Sequence, residues 1–310
     1  MNSRPTRDAL GAELLALGLE NKDIFVIDCD VAKSCKTLDF AQQCSNQHIN
    51  VGISEQNAVG VAAGLATCDK IPFVVTYAAF GSMRASEQIR QEVCYPNLNV
   101  KIACSHGGLT PANDGASHQC IEDMGIMRTL PNMTVIMPAD YNSARTLIRK
   151  SAEFDGPVYL RFTRDGIDEI YDENPNLEIG KANLIREGTD VSIIANGDTV
   201  NIAVKASEEL EKIGISAQVF DMHTIKPIDE KAIQKALDTT GKIITVEDHN
   251  IIGALGSAVC EYVAEKGYGK VKRIGVQDRF GESAPYEKLL EMNGITVYNI
   301  VNEAKNLLNK

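Results

Sequence analysis

Three side chains able to bind or move protons, His106, Asp114 and His118, fall within SHGGLTPANDGASHQ (residues 105–119), a stretch too rich in glycine and polar residues to be core. Two histidines twelve positions apart, with an Asp-Gly between them, can bring imidazole and carboxylate groups into one cleft for general acid–base work. A second candidate is Glu55 in NVGISEQNAV, between an apolar lead-in (Val51, Ile53) and AVGVAAGLA, which has the composition of a buried helix. A carboxylate there costs several kcal/mol unless a partner meets it. A third is TYAAFGSMR, where Tyr77 and Phe80 are separated only by alanines. Such small neighbours leave room for a planar ligand against the rings.

The elements that must position these groups alternate short β-rich apolar runs with helical patterns, the mark of an α/β protein with mostly parallel strands. A first helix is expected after Thr6 as N-cap, with Leu10, Leu14 and Leu17 on one face. Strands are expected at 23–28, 72–78, 99–104, 133–138 and 157–162, with helices near 55–67, 82–94, 121–127 and 140–154. After Arg164 the acidic, turn-rich DGIDEIYDENPNLEIG has no helical period and reads as a linker. A second series follows, with strands at 191–197, 216–222, 242–248 and 270–276 and helices near 199–213, 228–238, 252–266 and 297–309. The expectation is an α/β protein of two doubly wound domains: residues 1–170, a linker at 171–186, and a smaller domain at 187–310. In open α/β sheets ligands sit at the carboxyl ends of strands, and two of the candidate stretches, 76–84 and 105–119, follow predicted strands.

Composition removes several function classes. A formal charge of −11 with no basic run argues against a nucleic-acid surface, although an acidic protein can still hold an anionic small molecule at a local site. The uncharged apolar stretch at residues 71–83 is shorter than the roughly 18 residues of a membrane span. The amino-terminal segment carries Asp8 and Glu13 and does not read as a signal peptide. Eight cysteines without a C-x-x-C read as small core residues of a reduced, cytoplasmic protein without disulfides or structural zinc. No P-loop, dinucleotide fingerprint, H-E-x-x-H, Cys/His metal spacing or G-x-S-x-G occurs, so no metal ligands are assigned to this chain.

Taken in order, TRDALGAEL, DVAKS, NVGISEQNAVG, TYAAF with EQIR downstream, SHGGLTPANDGASHQ, YLRFTR, HTIKPID and TVEDH resemble the C-terminal half of transketolase, a thiamine-diphosphate enzyme. The resemblance runs nearly the whole chain and implies a pyrimidine-binding domain followed by a transketolase C-terminal domain. It implies that Glu55 hydrogen-bonds N1′ of the aminopyrimidine and favours the imino tautomer that frees the C2 carbanion, with the cofactor acting as electron sink. A poorly solvated carboxyl suits sharing a proton with a ring nitrogen. By the same resemblance Tyr77 and Phe80 flank the aminopyrimidine. His118 and Asp114 contact sugar hydroxyls and assist proton movement. Arg7, Ser34, His106 and Arg164 hold the sugar's terminal phosphate, two arginines supplying the local cation site. His223 and His249, in HTIKPID and TVEDH, read as structural or interface residues.

The chain contains no G-D-G, the motif through which this family binds Mg²⁺ (or Ca²⁺ or Mn²⁺) and the diphosphate, and a complete transketolase is about twice as long. The resemblance therefore implies a split enzyme of the pentose phosphate pathway. In it an N-terminal subunit carrying G-D-G supplies the metal and diphosphate half of the site, and the assembly is an α2β2 heterotetramer acting on sugar phosphates. Two departures stand beside the sugar and the ring: one extra residue near Gly81–Met83, and TPAND in place of a more acidic segment. The alternatives are a subunit related to deoxyxylulose-phosphate synthase or to the β subunit of a 2-oxoacid dehydrogenase, a transketolase for sulfonated or branched sugars, and a non-catalytic binding subunit.

Overall fold

The structure is a computed structural model and describes residues 3–309. Its strands are β1 (Ser3–Pro5), β2 (Ile24–Asp28), β3 (His48–Asn50), β4 (Ile71–Tyr77), β5 (Lys101–Ser105), β6 (Thr134–Ile136), β7 (Val158–Arg161), β8 (Gly166–Asp168), β9 (Asn183–Arg186), β10 (Val191–Ala195), β11 (Ala217–Asp221), β12 (Thr224–Lys226), β13 (Lys242–Asn250) and β14 (Lys270–Val276). Seven of them form one sheet in the order β12-β6-β7-β5-β4-β2-β3. Every pair in it is parallel except β12 against β6. The second sheet runs β14-β13-β10-β11-β9, parallel apart from the β9 edge. The central strands β5 and β10 are buried at every residue, as strands covered on both faces must be.

Helices cover both faces of the larger sheet. On one, Leu10, Leu14 and Leu17 of the helix Thr6–Glu20 pack with Leu147 and Ile148 of the helix Tyr141–Glu153 over Val26 and Val75. On the other, Ala58, Val59, Ala62 and Ala63 of the helix Glu55–Ala66 belong to an apolar cluster that continues into the smaller domain through Ile233, Leu255 and Val259. Two domains are thus welded by a shared core rather than joined by a flexible tether. β12 strengthens the weld, since it belongs to the second half of the chain but extends the first sheet.

Three local expectations change. Thr6 is inside the first helix and Pro5 precedes it as N-cap; the Thr6 hydroxyl instead accepts from the Thr163 amide at 2.7 Å, tying the helix start to the chain just beyond β7. The helix expected at 82–94 is three pieces, a π-helical turn at Phe80–Arg84, a short α turn at Ser86–Gln88 and a second π-helical stretch at Ile89–Cys94. The first π turn contains Gly81–Met83, and π turns inside helices occur frequently at functional sites. The stretch read as linker ends in β9, an antiparallel edge strand on β11. Its start is anchored by Asp140, which caps the helix Tyr141–Glu153 and accepts from the Ile170 and Tyr171 amides at 2.7 and 2.8 Å.

Tyr171 also donates its hydroxyl to Asp221 at 2.7 Å. Asp221 is fully buried and its other oxygen lacks a partner, so burial pushes its pKa up to about 7. A carboxyl whose folded pKa lies above its unfolded value holds a proton that the unfolded chain has lost, so its contribution to stability falls as pH rises from about 4 to about 7. Asp221→Asn keeps an acceptor for Tyr171 and removes the titration. Denaturant unfolding across that window should show a shallower loss of stability for the variant, and an unchanged slope would show that Asp221 does not titrate there.

Candidate active site

The order of the larger sheet reverses at β2: the chain moves outward to β3 and then returns to β4 on the other side. Such a switch point leaves a crevice at the carboxyl ends of the strands. The candidate residues collect at that end. Ser34 follows β2, Glu55 follows β3, Tyr77 ends β4 with Phe80 beyond it, His106 follows β5, and Arg164 follows β7. Arg7 comes from the first turn of the helix Thr6–Glu20.

Glu55 opens its helix with a side chain only 2% exposed. The group it meets is Arg84, whose Nη1 lies 2.8 Å from Glu55 Oε2 and whose guanidinium carbon sits 4.5 Å from the centre of the Phe80 ring. Tyr77 and Phe80 are near-parallel, 25° apart with centroids separated by 6.1 Å. His118, half-buried, presents its edge to both rings, 5.5 Å from Phe80 and 6.3 Å from Tyr77. One carboxylate and three rings therefore border one space.

Beside it lies a cavity of about 380 Å³ lined by Arg7, Lys33, Ser34, His106, Asp114 and Arg164 among others. Arg7 Nη1 donates to the Ser34 carbonyl and to His106 Nε2, both at 3.2 Å. Because a guanidinium can only donate, His106 Nε2 is the acceptor, and the ring proton sits on Nδ1, donated to Ser105 Oγ at 2.7 Å. His106 is held neutral, its pKa pushed down to about 3 by burial and by Arg7 and Arg164. In this state it accepts from Arg7, whose guanidinium lines the cavity. The Ser34 hydroxyl is turned to the Val31 carbonyl at 3.0 Å. Arg164 pairs with Asp114 at 2.8 Å and donates to the Pro111 carbonyl. All nine sequence-derived residues thus lie around one crevice, with Asp114 committed to Arg164 rather than free.

The loop 105–119 is pegged from the other domain. Gly108 and Cys120 exchange backbone hydrogen bonds of 2.7 and 2.9 Å, which closes the loop and turns His106 and His118 toward the same side chains. Asp248 of TVEDH takes the Leu109 amide on both oxygens, at 3.1 and 2.9 Å. Arg161, fully buried, donates to the Asp248 and Cys120 carbonyls at 2.7 and 3.3 Å and pairs with Asp123 at 3.3 Å. His249 accepts from the Gly125 amide at 3.2 Å and His223 is buried beside Thr224. Both lie at the junction of the domains, outside the crevice.

The residues present fit the aminopyrimidine end of thiamine diphosphate: a buried carboxylate met by a single, half-exposed side chain, beside an aromatic pair. Among the described residues no group of three or more His, Cys, Asp and Glu side chains could hold a metal ion, and no helix is long and apolar enough to cross a membrane. Sequence reasoning did not weigh Arg84 and Lys33. Arg84 stands four positions after Phe80, a spacing that places both on one helical face; Lys33 precedes Ser34 directly. Those two positions were the available signals.

Residues 2–168 match the transketolase pyrimidine-binding domain and residues 180–300 the transketolase C-terminal domain. This pair of domains is that of the thiamine-diphosphate-dependent class to which the fold and crevice point. The chain belongs to the transketolase family. It is 46% identical to a putative transketolase C-terminal section of Methanocaldococcus jannaschii, over 93% of this chain and 92% of that one. It is 40% identical to a 6-deoxy-6-sulfo-D-fructose transketolase subunit of Clostridium sp. (strain MSTE9), over 96% and 92%. A solved split-gene transketolase, described as an inactive beta4 tetramer, superposes with a TM-score of 0.91 at 44% identity, covering 99% of both chains.

Proposed function

We propose that this chain is the catalytic C-terminal subunit of a split transketolase that moves a two-carbon ketol unit from a ketose phosphate to an aldose phosphate. The observation that carries it is the single crevice in which buried Glu55, the Tyr77 and Phe80 rings and the Arg7–Arg164 cation pocket meet. Thiamine diphosphate, when bound, supplies a stabilised carbanion for the transfer. Glu55 holds and exchanges a proton at N1′ of the aminopyrimidine, Tyr77 and Phe80 hold the ring, and His118 and Asp114 orient sugar hydroxyls and pass protons. Arg7, supported by His106 and Ser34, binds the terminal anion together with Arg164.

Mg²⁺ (or Ca²⁺ or Mn²⁺) and the diphosphate then belong to an N-terminal partner with G-D-G, the pair assembling as α2β2 in the cytoplasm. That a similar chain forms a tetramer without its partner and is described as inactive supports this division. The test mixes this chain with such a partner, thiamine diphosphate and Mg²⁺, and assays transfer from xylulose 5-phosphate to ribose 5-phosphate. No turnover while the cofactor is demonstrably bound would sink the assignment for these sugars.

The sulfofructose relative gives a sulfonate substrate standing as a second reading, and Lys33 separates the two. Lys33 is exposed on the lip of the anion cavity and pairs with no carboxylate among the described residues. A phosphate monoester is close to a dianion at pH 7, so an added cation favours it over a sulfonate monoanion. Lys33→Ala should raise KM about tenfold for a sugar phosphate and about threefold for the matching sulfonate, with kcat little changed. Equal effects on both would remove Lys33 from anion discrimination.

A further inference from the structure

The surroundings of Arg84 carry an inference of their own, which rests on the cofactor reading above. Arg84 makes the two contacts which that reading assigns to the aminopyrimidine: a hydrogen bond to Glu55 at 2.8 Å and a planar group over Phe80 at 4.5 Å. A guanidinium is flat, cationic and a donor, so it can mimic the edge and the face of a protonated aminopyrimidine at once. The two partners differ in freedom, Glu55 being 2% exposed and Arg84 47%.

The turn that bears Arg84 explains how the side chain can leave. It is the π-helical turn Phe80–Arg84. Its backbone is pinned at Gly81, where a Cβ would run into Cys104 and Thr76, while Met83 and Arg84 at its far end are exposed. Rotation about the Arg84 side-chain bonds frees Glu55 and Phe80 without moving the backbone. A ring that hydrogen-bonds Glu55 and stacks on Phe80 cannot share the space with the guanidinium.

We propose that Arg84 is a displaceable positioning residue: it occupies the aminopyrimidine's place in the chain alone, satisfying Glu55 and covering Phe80 until the ring takes over both contacts. Binding of the ring therefore competes with a charge-assisted pair on a half-exposed arginine. Removing such a competitor is worth about tenfold in affinity. The device keeps a buried carboxylate from being left unpaired when no cofactor is present.

The test uses the isolated full chain and the neutral ring fragment 4-amino-5-hydroxymethyl-2-methylpyrimidine, followed by ligand-observed NMR, so that neither diphosphate nor partner is needed. Arg84→Ala should bind the fragment about tenfold more tightly than the parent chain. Arg84→Lys, which keeps the charge but not the flat donor face, should fall between them. Raising ionic strength should improve binding by the parent chain and leave Arg84→Ala unaffected, a response that a merely structural arginine would not produce. In a Glu55→Gln background the gain from Arg84→Ala should disappear. Equal or weaker binding by Arg84→Ala, including no binding by either chain, overturns the proposal. Tighter fragment binding alongside a reconstituted mixture that transfers no ketol unit leaves Arg84's role standing and removes the reaction assignment; ketol transfer without any fragment effect does the reverse.

Discussion

Glu55→Gln is expected to lower kcat of the reconstituted enzyme by about 10³-fold while subunit assembly and KM for the sugars change little. The substitution keeps the size of the side chain and an oxygen able to accept from Arg84, which contacts Glu55 from the exposed side at 2.8 Å. It removes the ability to exchange a proton with a ring nitrogen, and that is the role assigned to Glu55. Fold should survive, because Glu55 is 2% exposed and replacing a buried charged group by a neutral isostere lifts a desolvation penalty. The measurement is steady-state ketol transfer together with sedimentation of the mixed subunits. A kcat within tenfold of the parent would take Glu55 out of the chemistry, and loss of assembly together with activity would make it a structural residue of the helix Glu55–Ala66.

How much of this was readable before the structure depends on the range of the interaction. Glu55, Tyr77 and Phe80 could be singled out because each departs from its own neighbours: a carboxylate among small apolar residues, and rings separated by alanines. The strand and helix alternation was equally legible, since buried parallel strands such as KIACS and VSIIA are built mainly from apolar and small residues. Arg84 was not legible as the partner of Glu55, because the two lie 29 positions apart and meet through a π turn that no local pattern announces. Nor was β12. Thr224–Lys226 is three residues of the second half of the chain, and only tertiary packing sends it to the edge of the first sheet. Thr6 shows the same limit in miniature, its hydroxyl being used by Thr163, which is 157 positions away, rather than by its own helix.

The pegged loop supplies the second large effect. Gly108→Ala should destabilise the chain by about 3 kcal/mol and raise KM for sugar substrates at least several-fold. Gly108 has φ of 62°, a conformation that costs an L-residue roughly 1–2 kcal/mol. A Cβ there would also overlap the Asp248 carboxylate and the Arg161 guanidinium, both fully buried, and overpacking of such a site costs a further ~1–3 kcal/mol. Gly52→Ala separates the two contributions, because Gly52 has φ of 72° with nothing within 4 Å of an added Cβ; it should lose only the backbone part. Denaturant unfolding of both variants gives the difference, and kinetics of the reconstituted enzyme gives the functional consequence. Gly108 exchanges hydrogen bonds with Cys120, and its neighbour Leu109 is held by Asp248, so pushing Gly108 outward moves His106, Asp114 and His118 together. Equal losses in the two glycine variants would mean that the smaller domain does not press on this loop. A larger loss in Gly108→Ala, with KM rising alongside it, would show that Asp248, packed with Arg161 of the larger domain, reaches the substrate through Gly108, giving the smaller domain a hold on the chemistry without a crevice residue of its own.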